Sequence, residues 1–97
     1  MQNLKRLGLS TILAVSVLPA TVSAESWICE NSSLVREINV ERPADSAVPC
    51  SVNYDKGSEG LGTSVLWTAQ SDGSYCDAKA NGLAEKLGGL GWTCTAY

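Results

Sequence analysis

Four cysteines within 97 residues restrict this sequence to a small group of folds. They are Cys29, Cys50, Cys76 and Cys94, an even number, as is typical of short exported domains that are stabilised by disulfides. No two of them form a CxxC pair, so the spacing indicates neither a zinc knuckle nor a thioredoxin-like redox site. We therefore expect two structural disulfides and no free thiol for nucleophilic catalysis.

The N-terminal segment indicates export. Two basic residues precede an apolar run at 7–18, and small residues follow up to Ala24, which is the pattern of a secretory signal peptide. The apolar run is shorter than the roughly 20 residues that span a bilayer. We expect a signal peptide at residues 1–24 and one small disulfide-stabilised domain at 25–97. The cleaved product is then periplasmic or secreted, without stable membrane insertion.

The charge balance argues against a polyanionic ligand. The sequence has seven Lys and Arg and ten Asp and Glu; Lys5 and Arg6 lie in the expected leader, which leaves five against ten and a net charge of −5. A field of this sign repels nucleic acids and anionic lipids. Histidine is absent, and with it the commonest general base and metal ligand. We predict no cofactor, no metal site and no nucleic-acid partner.

Alternation of apolar and polar residues predicts three strands, at 34–42, 50–55 and 64–70. Pro43 ends the first strand, because proline cannot donate a hydrogen bond to a sheet. The segment 56–63 contains three glycines and is expected to be a mobile hairpin loop between the second and third strands.

A helix is expected after the third strand. Ser74 and Asp77 have the spacing of a capping box, with Ser74 as the N-cap residue. Gly88 and Gly89 supply a C-terminal stop, and residues 91–94 are a possible short final strand. One apolar stripe at helical spacing joins Cys76, Ala80, Leu83 and Leu87.

These elements predict an α+β domain, a three-stranded antiparallel β-meander with the C-terminal helix packed on one face. In a meander the second strand starts at the end of the sheet where the third strand stops, so Cys50 meets Cys76. The helix then runs back along the sheet and brings Cys94 to the opposite end, where Cys29 precedes the first strand. Among the three possible connectivities we therefore favour Cys29–Cys94 with Cys50–Cys76. The predicted core consists of Leu34, Ile38, Val40, Val52, Tyr54, Val65, Trp67, Ala80, Leu83, Leu87 and Leu90.

Two tryptophans are candidates for a binding surface. Trp27 and Trp92 each lie two residues before a cysteine of the expected Cys29–Cys94 bridge, which would make them neighbours at one end of the fold. They either pack around the bridge or form an exposed aromatic patch that anchors a partner.

The loop at 56–63 is a further candidate, through Glu59 and Leu61. Its glycines match neither GxGxxG nor a P-loop. The segment is either a flexible connector or a recognition loop of the kind that small inhibitors use.

Charged residues of the first strand raise two further possibilities. If Val40 pairs with Val52, Glu37 lies opposite Asp55 on the uncovered sheet face, and facing carboxylates repel. One interpretation is that the two carboxylates form an acid–base pair or a cation site. The other is that they lie near a frayed strand end, or that the register is shifted by two residues and they do not face each other. Arg36 on the inner face is either a snorkelling end residue or one half of a partly buried ion pair.

Segments around the cysteines resemble small, uncharacterised four-cysteine envelope proteins of Gram-negative bacteria. They are the segment at Cys29, VPC at 48–50, VLWTAQ at 65–70, YCDAKA at 75–80 and GWTC at 91–94. The resemblance spans nearly all of residues 25–97. It implies a periplasmic location and carries over no functional residue.

These observations favour a non-enzymatic binding module that acts on an envelope or extracellular protein, with hydrolase inhibition as one form of that function. We assign no catalytic residue, and we expect the partner to be a protein. Two alternatives stay open: a structural or stress-related envelope protein without a defined ligand, and a small hydrolase that uses carboxylates.

Overall fold

The computed structural model describes residues 25–97, and the expected signal peptide lies outside them. One antiparallel sheet of five strands has the order β4-β3-β2-β1-β5, and one helix packs on one of its faces. The elements are β1 (Ser26–Asn31), β2 (Leu34–Glu41), β3 (Cys50–Asp55), β4 (Thr63–Ala69), α1 (Gly73–Gly89) and β5 (Thr93–Ala96).

The prediction of a three-stranded meander was wrong, because β1 and β5 add a strand pair, although the α+β class is as expected. In β1 the apolar residues Trp27, Ile28 and Cys29 are consecutive, so the strand lacks the alternation that reveals a half-buried strand. Its turn to β2 places Ser32 at a φ of 56°, where glycine or asparagine is the usual signal. The possible final strand, expected at 91–94, is present two residues later as β5.

A β-bulge in β4 reverses the facing of its side chains. Val52 pairs with Trp67, whereas Asn53 pairs with Val65, so Leu66 is the extra residue. Trp67 consequently faces the helix, while Val65 points away from it and is 61% exposed. The assignment of Val65 to the core was wrong because a bulge breaks strict alternation.

The core lies between α1 and the inner face of the sheet. Two further predicted core residues are exposed: Leu34 at the turn that begins β2, and Leu90 beyond the end of α1. Leu83 is only partly buried, and Ala84 takes its place in the buried stripe of the helix. The buried residues are Cys29, Ile38, Val40, Cys50, Val52, Tyr54, Cys76, Ala80, Ala84, Leu87 and Trp92.

The helix begins before the residue that was expected to cap it. Asp72 is the N-cap, and its Oδ1 accepts hydrogen bonds from Ser74 Oγ at 2.6 Å and from Ser74 N at 3.0 Å. These bonds lower the pKa of Asp72. The short aspartate side chain satisfies a backbone donor that the helix itself cannot.

The two disulfides join Cys29 to Cys94 and Cys50 to Cys76, the connectivity that the element order favoured, and no free cysteine remains within 25–97. The first links directly opposed residues of β1 and β5, with 3.9 Å between the Cα atoms, and so lies inside the sheet rather than at its end. The second ties the start of β3 to the first turn of α1.

In residues 25–97 no helix combines the length and the apolar character that crossing a bilayer requires.

Candidate protein-binding surface

Residues 56–62 connect β3 to β4 and form what we call the Leu61 loop. Its base is closed by Lys56 N–H, which donates to Gly62 O at 2.8 Å, and by Leu61 N–H, which donates to Lys56 O at 3.3 Å. Gly57–Glu59 forms one turn of 3-10 helix within it. The loop therefore has a defined conformation, whereas its glycine content had indicated mobility.

Leu61 is presented at the tip of this loop. It lies between Gly60 and Gly62, which have φ values of +75° and +71°, a region that glycine enters without steric penalty. The Leu61 side chain is 63% exposed. The two glycines thus turn the chain sharply on either side of one large apolar residue.

Arg36 ties the Leu61 loop to β2. Its Nε and Nη2 donate to the two carboxylate oxygens of Glu59 at 2.7 and 2.9 Å, a bidentate pair. Its Nη1 donates to Tyr54 Oη at 2.8 Å, and the guanidinium lies 4.2 Å from the centre of the Trp92 ring. The hydrogen bonds from Arg36 lower the pKa of Glu59. Arg36 is therefore one half of a partly buried ion pair, and Glu59 is the partner that the sequence could not identify.

Ser58 provides a second anchor. Its hydroxyl accepts from Val35 N–H at 2.9 Å and donates to Val35 O at 2.8 Å. At this point β2 extends beyond β3, because Asp55, the last residue of β3, is opposite Glu37. One serine side chain thus satisfies both backbone groups of Val35 that a longer β3 would have paired.

The two tryptophans are not neighbours. Strands β1 and β5 are antiparallel, and Trp27 is opposite Ala96, so Trp92 lies four residues away, about 13 Å along the strand direction. Trp92 is buried beneath Arg36, and Trp27 is partly buried against the core. Within residues 25–97 they form no joint exposed aromatic patch.

The facing carboxylates are present, in the first of the two registers considered. Val40 pairs with Val52, and Glu37 is opposite Asp55. Both side chains have partners inside the fold, since Asp55 Oδ1 accepts from Gly57 N–H at 2.7 Å and Glu37 Oε1 accepts from the Tyr97 hydroxyl at 3.4 Å. A cleft of about 370 Å³ lies at the opposite end of β2 and β3, and neither carboxylate lines it.

The sheet face opposite α1, which we call the outer face, carries no basic residue among those described. It is covered by no other element of 25–97, and strand alternation places Glu30, Glu37, Glu41 and Asp55 on it. The five described basic residues lie on the helix side. Lys79 and Lys86 belong to α1, Arg42 bonds to Asp77 of α1, and Arg36 and Lys56 lie against the ring of Tyr54.

Strand β4 is an edge of the sheet, and its neighbourhood is apolar. Residues 60–71 contain no charged side chain, and β4 exposes Val65 at 61% and Leu66 at 39%. On the helix side of this edge the Lys79 ammonium lies 5.4 Å from the Trp67 ring and 5.5 Å from the Tyr75 ring. The exposed Leu61 lies two residues before β4 begins.

Among the residues described, no group of three or more acidic, cysteine or histidine side chains is arranged to hold a metal ion. Comparison with known proteins yields no relative: no protein-family model, curated protein or solved structure matches the chain.

Proposed function

We propose that this protein is an exported, non-enzymatic binding module that inserts Leu61 into an apolar pocket of an envelope or extracellular protein. Inhibition of a hydrolase is the form of this function that we favour. Two disulfides fit an oxidising compartment, which supports export to the periplasm or beyond. They also occupy every cysteine, which supports the non-enzymatic part of the proposal.

The observation that carries the proposal is the presentation of Leu61. A leucine side chain that moves from water into an apolar pocket contributes about 1.5–3 kcal/mol when it is fully buried. The loop that carries it is already ordered by Glu59 and Ser58, so binding does not have to order it. An exposed apolar residue on a preorganised loop is the arrangement by which small protein inhibitors engage their targets.

The test compares Leu61→Ser with Leu90→Ser. These two leucines are exposed almost equally, 63% and 64%, but only Leu61 lies on the loop. Each variant and the unaltered protein is immobilised and exposed to envelope extract with crosslinking, and the retained proteins are quantified by mass spectrometry. We expect a partner that the protein and Leu90→Ser retain equally and that Leu61→Ser binds about tenfold or more weakly.

Equal retention by both variants, or no retention above background after crosslinking, contradicts the proposal. If the retained partner is a hydrolase, its turnover should fall as the protein is added up to one equivalent, and Leu61→Ser should leave that turnover unchanged.

A further inference from the structure

We infer that the open edge of β4 binds an extended segment of the partner protein as a sixth strand, and that this segment alternates basic and apolar side chains. The inference rests on the proposed function and adds the chemistry of the partner. It is independent of Leu61, because it concerns the backbone of β4 and the side chains on its two faces.

The backbone groups needed for strand addition are available. β4 pairs with β3 on one side and has no partner on the other within residues 25–97. Lys56 N–H donates to Gly62 O at 2.8 Å, so the carbonyl of Gly62 points towards the β3 side. By the alternation of an antiparallel ladder, the N–H and C=O groups of Thr63 and Val65 then point towards the open edge.

This edge lacks the protection that edge strands usually have. Charged side chains and proline normally block the addition of a foreign strand, but residues 60–71 contain neither. The bulge at Leu66 is the one protective device in β4, and it follows the regular stretch from Thr63 to Val65. A short extended segment can therefore pair with the first half of β4.

The charges of the domain select the side chains of that segment. On the outer face an added strand lies two strand spacings, about 9–10 Å, from Asp55, which is close to the Debye length of about 10 Å at 0.1 M salt. That face has four carboxylates and, among described residues, no cation, so basic side chains are favoured there. On the helix side the added strand approaches Trp67, Tyr75 and Lys79, where apolar side chains are favoured and basic ones are repelled.

A second copy of this chain fits the site less well than such a segment. Its own β4 contributes no basic residue to the outer face, so the carboxylates stay uncompensated. The charge distribution thus favours a segment of another protein over self-association.

The test uses hydrogen exchange of the intact protein with synthetic hexapeptides. An alternating Lys-Val peptide is compared with a block isomer of the same composition, three lysines followed by three valines, and with an alternating Glu-Val peptide. We expect the alternating Lys-Val peptide to slow exchange of the Thr63 and Val65 amides about tenfold at saturation. The other two peptides should leave exchange unchanged, and the effect should weaken between about 50 and 300 mM salt.

A variant checks the backbone contact. Thr63→Pro removes one outward N–H, a change that an edge strand tolerates, and it should abolish the protection of Val65 while the amides of β2 keep their slow exchange. If this variant fails to fold, the comparison of the three peptides on the unaltered protein still tests the inference.

Equal protection by the Lys-Val isomers, protection by the Glu-Val peptide, or no protection overturns the inference. Concentration-dependent protection without peptide, together with a dimer in sedimentation, overturns it in favour of a second copy. The peptide exchange experiment does not depend on Leu61, and the capture of a partner from envelope extract does not depend on the peptides. Failure of this inference and failure of the proposed function can therefore be distinguished.

Discussion

Arg36 shows how a single side chain orders a loop that has almost no core of its own. Its planar guanidinium pairs with both oxygens of Glu59, bonds to Tyr54 and stacks on Trp92. A lysine at this position could make only some of these contacts, because an ammonium is a compact charge that lacks the planar array of N–H donors of a guanidinium. The position of the Leu61 loop therefore depends on the chemistry of arginine as well as on its charge.

The carboxylates of Glu59 and Asp72 make stability depend on acidity. Hydrogen bonds hold the pKa of each below its ordinary value, 4.5 and 3.8 respectively. Folding therefore favours the ionised forms, and their contribution is complete above these values and is lost as pH falls through the lowered pKa values. We expect the urea midpoint to fall from about pH 4.5 downwards, and Glu59→Gln to reduce this dependence.

Glu30→Gln is the matched control, since Glu30 is an exposed glutamate on the outer face. Its pH profile of the urea midpoint is the reference for the loss of one exposed glutamate outside the Arg36 ion pair. A profile for Glu59→Gln that overlays that of the unaltered protein would show that the ion pair contributes nothing to the acid response.

At the scale of elements, β4 marks the limit of what alternation can predict. The alternation of apolar residues located β2 and β3 but left their register open between Val40 opposite Val52 and a shift by two. The helical spacing, in contrast, predicted the buried stripe of Cys76, Ala80 and Leu87. The facing of Val65 could not be predicted, because one extra residue in a strand has no signature when its neighbours are all apolar or small. Strand β1 was missed for a related reason, since tertiary pairing on both sides stabilises a segment without alternation.

Deletion of Leu66 tests the bulge directly. It removes the extra residue and leaves Trp67 opposite Val52 and Val65 opposite Asn53 in a regular ladder. We expect this deletion to fold with Val65 still on the outer face, which NMR contacts between Val65 and Asn53 would report.

Deletion of Thr68 is the contrasting variant. It shifts Trp67 by one position and turns its ring away from α1, with an expected loss on the order of 2 kcal/mol or more in the free energy of unfolding. Equal stability of the two deletions would contradict the assignment of Leu66 as the extra residue.

For the whole molecule, the disulfides compensate for a small core. The glycine-rich helix buries little more than Cys76, two alanines and Leu87, so the sheet is covered by a thin layer. The order of the elements was sufficient to infer the connectivity, although it placed the Cys29–Cys94 bridge at the end of the sheet rather than between β1 and β5. The sequence suggested an ion pair for Arg36, but its pairing with Glu59 could not be inferred, since Glu59 is 23 positions away in a loop without periodicity.

Replacement of both cysteines of each bridge by serine should reveal how much each bridge contributes to the free energy of unfolding. The Cys29–Cys94 bridge closes a separation of 65 residues and the Cys50–Cys76 bridge one of 26. The chain-entropy relation gives losses of about 4 and about 3.5 kcal/mol in the free energy of unfolding, measured by urea denaturation. A clearly larger loss for the Cys50–Cys76 pair would show that native packing around α1, rather than the unfolded chain, sets the contribution.

The distribution of charge across the sheet affects the orientation of the domain as it approaches a charged surface. The outer face carries four negative charges and no described cation, whereas on the helix side cations lie beside carboxylates, as in the pairs of Arg36 with Glu59 and Arg42 with Asp77. The negative charge of the domain is therefore displaced towards the outer face, which gives a dipole moment across its thickness. A polyanionic surface therefore exerts a torque that turns α1 towards it and the carboxylates away. Such a surface would select the angle at which the domain approaches, before any contact is made.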